Sequence, residues 1–169
     1  TGAAGTVTVT GSDGDDLVGA AGAVLSARAS TVDGKGGADA IYTGAGNDTV
    51  DGGSGKDTIN SGAGNDTVNG GADNDTIDFS GNFTIKDSVD GGDGTDTLVG
   101  GIGDLSALTN TATSTSVITN IETVRVDDDA GGNTLTVGSI ATAGINTVDL
   151  DVATTGAVTL NMGSGAKTV

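Results

Sequence analysis

The chain has 169 residues, 32 of them glycine, with no proline, cysteine or histidine and a formal net charge of −17. Without histidine or cysteine it can build neither an HExxH zinc site nor a Ser–His or Cys–His nucleophile pair. It also lacks a basic patch for nucleic acid and an apolar run long enough to span a membrane as a helix.

The acidic residues number 23, and only Glu122 is a glutamate. Surface acidity carried on helices favours glutamate, so this bias places the charge in loops, where aspartate chelates. Three aromatic residues, Tyr42, Phe79 and Phe83, are too few for the core of an ordinary globule. A narrow stack of Val, Ile and Leu is expected instead.

In chain order, Thr10–Val18 (TGSDGDDLV) opens a nine-residue pattern, with Asp13 read at its fourth position and Asp15 at its sixth. Gly19–Asp33 is expected to form an enlarged half-coil. From Gly34 to Asp78 five units run back to back: GKGGADAIY, TGAGNDTVD, GGSGKDTIN, SGAGNDTVN and GGADNDTID. Phe79–Asp90 is a second enlarged half-coil, and Gly91–Val99 (GGDGTDTLV) closes the series.

The common pattern is Gly-Gly-x-Gly-x-Asp-x-U-x, where U is a large aliphatic residue. Glycines at positions one, two and four let the backbone curl and approach closely. The curl aims main-chain carbonyls at one point, and the sixth-position aspartate adds carboxylate oxygens there. An all-oxygen set of irregular geometry suits calcium better than magnesium. Position eight (Ile41, Val50, Ile59, Val68, Ile77) is β-branched and faces inward on a short strand at positions seven to nine.

Two units should make one eighteen-residue coil, which gives two edges of stacked loops. One edge then carries Asp15, Asp39, Asp57, Asp75 and Asp96, with about four ions between its rungs. The other carries only Asp48 and Asp66, with about one ion, since neither enlarged half-coil is expected to add a rung. The expected ligands are Asp13, Asp15, Asp39, Asp48, Asp57, Asp66, Asp73, Asp75 and Asp96. They are joined by the loop backbone at Gly34, Gly36, Gly44, Gly46, Gly53, Gly55, Gly62, Gly64, Gly71, Gly92 and Gly94. An isolated copy reads more readily as an Asx turn, but five in one register have no turn-only explanation. Asp33, Asp51, Asp78 and Asp90 are read as solvating strand ends.

Carboxylates stacked at the strand spacing lie about 5 Å apart and repel without a counter-ion. The metal-free chain is therefore expected to be largely disordered. Sites of roughly 10⁻⁴ M affinity at about 2 mM calcium each contribute about 1.8 kcal/mol, so about five supply some 9 kcal/mol, on the order of a domain's whole stability.

After residue 100 the motif stops. Thr123–Val126, Thr134–Val137, Thr147–Val152 and Ala157–Met162 alternate aliphatic and polar residues and are expected as strands. They continue a parallel β-helix or form a small sheet, with a β-sandwich as the alternative. Asp104–Thr109 reads as a short helical turn. Asp127–Asp129 reads as a solvated turn, with a further calcium site as the alternative. The division is thus residues 1–100, a calcium-binding roll with enlarged half-coils at 19–33 and 79–90, and residues 101–169, a Thr/Val-rich β-solenoid or β-sheet segment. The chain is read as a piece of a longer protein.

The nonapeptide over Thr10 to Val99 resembles the repeat of the RTX calcium-binding family. Its pairing with a later ITNIETVRV segment is similar to S-layer proteins of the Caulobacter type. The resemblance implies an all-β fold, a right-handed parallel β-roll stabilised by calcium and continuing into further β structure. It also implies type I secretion, folding outside the cell and a bacterial cell-surface location. The expected partners are calcium and further copies in a surface lattice. An RTX adhesin stalk, or the secretion-supporting domain of an RTX protease, lipase or toxin, is the alternative reading.

Overall fold

The computed structural model describes residues 5–19, 27–79, 81–84, 86–100, 117–126, 134–136, 147–150 and 159–161. The readings for 104–109 and 127–129 lie outside them.

Every paired strand runs parallel to its neighbours, and no helix occurs among the described residues. One sheet is built from β1 (Val7–Thr10), β3 (Ser30–Asp33), β5 (Thr49–Ser54), β7 (Thr67–Ala72), β9 (Ser88–Asp93) and β11 (Val117–Thr119), in that order. The facing sheet holds β2 (Leu17–Val18), β4 (Ala40–Gly44), β6 (Thr58–Gly62), β8 (Thr76–Asp78), β10 (Thr97–Gly100), β12 (Thr123–Val126) and β14 (Thr147–Leu150). Successive strands alternate between the sheets, so the chain winds as a parallel β-roll. A further pair, β13 (Thr134–Thr136) and β15 (Thr159–Asn161), forms a separate two-stranded sheet.

The alternation along each unit explains the core. Side chains on a strand point to opposite faces, so position eight enters while positions seven and nine stay out. Val32, Val50, Val68 and Val89 stack on one sheet, and Val18, Ile41, Ile59, Ile77, Leu98 and Val124 on the other, all buried. Most strands of the repeat block are longer than the three residues expected. β5 runs from position seven to position three of the next unit, because the glycines that open each loop still pair across coils, as at Gly53↔Gly71 and Gly71↔Gly92.

The described ends of the two long connections join the same sheets. Ser30–Asp33 form β3, in register between β1 and β5. Residues 79–90 begin β9, which pairs with β7. The second connection also fills the core with Phe79 and Phe83, whose rings pack edge to face at 5.1 Å. β11 and β12 then extend both sheets beyond residue 100. The four strands expected in the later segment are present as β12, β13, β14 and β15.

Candidate metal centre

The sixth-position aspartates form two ladders along the edges of the roll. On the first edge the Asp16 N–H donates to Oδ1 of Asp39 (2.8 Å), Asp39 N–H to Asp57 (2.8 Å), and Asp57 N–H to Asp75 (2.9 Å). Asp75 N–H donates to Asp96 (2.8 Å), and Asp96 N–H to Oε2 of Glu122 (2.8 Å). On the second edge Ser30 N–H donates to Oδ1 of Asp48 (2.6 Å), Asp48 N–H to Asp66 (2.8 Å), and Asp66 N–H to Asp87 (2.7 Å). The unbroken repeats are 18 residues apart, the expected coil length, whereas rungs across the two long connections are 21 or 23 apart and Asp96 and Glu122 are 26 apart.

Each carboxylate therefore divides its work. Oδ1 ties one coil to the next through a charge-assisted hydrogen bond. Oδ2 of Asp39, Asp48, Asp57, Asp66, Asp75 and Asp96 is buried and has no hydrogen-bond partner. Six buried anionic oxygens without a donor are costly. Burial pushes the carboxyls of Asp57 and Asp66 up to about 6 and Asp75 up to about 7, and it raises Asp96. The backbone N–H from the coil below opposes the rise in each case, joined at Asp66 by the nearby Ser61 hydroxyl, and neighbouring carboxylates add to it.

The loops supply the rest of the donor set. On the first edge a Cβ at Gly52 would lie 2.5 Å from both Asp57 Oδ2 and the Gly70 carbonyl oxygen, and one at Gly70 would meet Asp75 Oδ2 and the Gly91 oxygen equally closely. Gly11, Gly34 and Gly91 repeat this arrangement with Asp16, Asp39 and Asp96. Position one is thus glycine because an oxygen-lined hollow leaves no room for a side chain. Its backbone is not left-handed. The left-handed conformation belongs to position two, as at Gly53 (φ 105°) and Gly71 (φ 114°), and in several units to position four, as at Gly55 (φ 116°). Three described residues adopt it without being glycine: Lys35 (φ 80°) at position two, Asp73 (φ 78°) at position four, and Asn120 (φ 53°) two residues before Glu122. Lys35 also pairs with Asp33 at 2.6 Å, which raises its pKa.

Among the described residues no three carboxylates converge on one point. A cation here would depend on main-chain carbonyls joined to single carboxylate oxygens. That donor set is all oxygen and irregular, which fits calcium.

Three readings of the sequence need correction. The rung expected at Asp15 is Asp16. The unit begins at Gly11, so Val18 is buried and Leu17 is 68% exposed. Sliding a strand by one residue reverses its faces, and pairing of Val18 with Ile41 fixes the choice. Asp13 and Asp15 are exposed, and Asp15 accepts the Ala38 N–H at 2.9 Å. Second, the edge expected to hold only Asp48 and Asp66 gains Asp87 from the long connection. Third, the first edge continues to Glu122. Counting back two residues from each inward aliphatic finds all three: Val18 gives Asp16, Val89 gives Asp87 and Val124 gives Glu122.

Asp33, Asp51 and Asp90 do stay at the outer face. Asp51 accepts from Asn69 Nδ2 at 3.1 Å, and Asp90 from Asn120 Nδ2 at 2.8 Å.

The structure is thus a parallel roll with a carboxylate ladder on each edge and oxygen-lined hollows along the first. The family model described as the RTX calcium-binding nonapeptide repeat (4 copies) matches residues 26–59, 51–82 and 86–104. These segments are similar to RTX repeats, a calcium-binding repeat typical of extracellular secreted bacterial proteins. No curated protein and no solved structure matches the chain. Among the described residues no helix is long and apolar enough to cross a membrane.

Proposed function

We propose that this chain is a non-catalytic, calcium-dependent structural module of a secreted bacterial cell-surface protein, folding on calcium outside the cell and supporting an S-layer lattice. The observation that carries the calcium dependence is the set of six buried carboxylate oxygens that no protein donor satisfies. Calcium would be held by Oδ2 of these aspartates with loop carbonyls such as those of Gly52, Gly70 and Gly91. Its charge offsets the repulsion along each ladder. The glycine and aspartate of each loop are spent on this arrangement, which supports a structural rather than a catalytic role.

The calcium dependence is tested by far-UV circular dichroism of the chain with and without EGTA. A β spectrum at about millimolar calcium, a coil spectrum after chelation and little rescue by magnesium are expected. An unchanged spectrum after exhaustive chelation would overturn the proposal.

A second reading, a stalk of an RTX adhesin, is supported by the continuation of both sheets past the last repeat through β11, β12 and β14. Negative-stain microscopy separates the two. Calcium-dependent two-dimensional sheets favour the lattice, and soluble elongated monomers favour the stalk.

A further inference from the structure

The aspartates of the two ladders fall into two kinds. At Asp39, Asp48, Asp57, Asp66, Asp75 and Asp96 the second oxygen is left over. At Asp87, which is fully buried, Oδ2 accepts the Thr84 N–H at 2.6 Å, and the Asp87 N–H closes the same turn on the Thr84 oxygen at 3.2 Å. At Asp16, Oδ2 accepts both the Ser12 N–H (2.6 Å) and the Ser12 hydroxyl (3.0 Å).

The backbone makes the same division independently. Position two of each loop with a left-over oxygen is left-handed: Lys35, Gly44, Gly53, Gly62, Gly71 and Gly92. In the loops of Asp16 and Asp87 that position is Ser12 and Phe83, and neither has a positive φ. Phe83 instead turns into the core against Phe79.

We propose that Asp16 and Asp87 are self-capped ends of the ladders that take no calcium, and that ions bind only through the left-over oxygens of the other six aspartates. The inference rests on the calcium reading above and specifies which of its rungs are open. A cation at Asp87 would have to displace a short charge-assisted hydrogen bond and strand the Thr84 N–H. Position two of its loop is Phe83, without a positive φ, and the left-handed glycine of that connection, Gly81 (φ 80°), lies six residues before the aspartate, outside the loop position that is left-handed at the other rungs. The caps hold their loops in shape by protein hydrogen bonds alone, so each ladder has an end set by sequence.

Counting bound ions tests this, with native mass spectrometry and calcium titration calorimetry on the full chain at saturating calcium. Asp→Asn removes the charge and keeps an oxygen to accept the ladder N–H. Asp16→Asn and Asp87→Asn are expected to bind as many ions as the parent chain, and Asp66→Asn fewer. Loss of an ion in either cap variant, or none in Asp66→Asn, would overturn the assignment. Asp16 lies half-buried at the end of its ladder, so its variant decides the matter if Asp87→Asn does not fold. A parent chain that binds no calcium would instead remove the underlying reading.

Discussion

The two edges of the roll are made from the same nonapeptide, yet they are built differently. On the first edge position one is glycine in every unit from Gly11 to Gly91, and the space beside it holds a carboxylate oxygen and a carbonyl from the next coil. On the second edge position one is Thr43 or Ser61, both buried, and Thr43 Oγ1 donates to the Ser61 carbonyl at 2.8 Å. The first ladder runs through five aspartates to Glu122. The second runs from the neutral Ser30 through Asp48 and Asp66 to Asp87. A repeat thus fixes the frame of a site, and the residue at position one fixes how much room the frame leaves.

That difference breaks most sharply at Gly52. Gly52→Ala places a methyl 2.5 Å from Asp57 Oδ2 and the Gly70 oxygen, and backbone cannot step aside cheaply. A loss of more than about 3 kcal/mol is expected, read as a large drop in the thermal midpoint at fixed calcium. Ser61→Gly, at the same position on the other edge, is expected to be far milder. Comparable losses would show that the two edges are equivalent after all.

A smaller contrast sharpens the comparison. Asp57 has carboxylates on both neighbouring rungs, Asp39 and Asp75, while Asp48 has Asp66 on one side and Ser30 on the other. Either alanine variant strands a buried N–H, worth about 1–3 kcal/mol. Asp57→Ala should also disturb calcium on both sides of its rung. Its calcium midpoint for folding is expected to rise more than that of Asp48→Ala, and equal shifts would count against the ladder asymmetry.

The smallest effect is that of pH on the metal-free chain. Asp57, Asp66 and Asp75 have carboxyls raised in the fold to about 6, 6 and 7, so the fold binds protons more tightly than the unfolded chain. Their protonation favours folding fully below their ordinary value of 3.8, and this contribution is lost as pH rises through 6 to 7. Acidification of chelated protein from about pH 8 to about pH 4 is expected to restore part of the β signal. In the calcium-bound chain the same protons compete with the ion, so apparent affinity should fall over that interval. A metal-free spectrum that does not change with pH would mean that carboxylate burial is not what opposes folding.

Much of this molecule was legible in the chain. The period of nine, the inward aliphatics at position eight and the aspartates two residues before them determined a parallel roll with acidic edges. Each unit states its own backbone shape, and a strand can bury only one face. The later strands also followed from simple alternation.

Three-dimensional pairing decided the rest. Within Gly11–Gly19 adjacent aspartates compete for the rung, and only the pairing of Val18 with Ile41 selects Asp16. Asp87 and Glu122 lie in segments without the motif, and they become rungs because the sheets carry Val89 and Val124 into the core stack. Whether a carboxylate oxygen is satisfied or left over is set by donors such as Ser12 and Thr84. Those donors reach it only after the coil closes, and hydrogen bonds are short-ranged and directional. Local sequence can name the aspartates, but the folded neighbourhood determines which oxygens remain free.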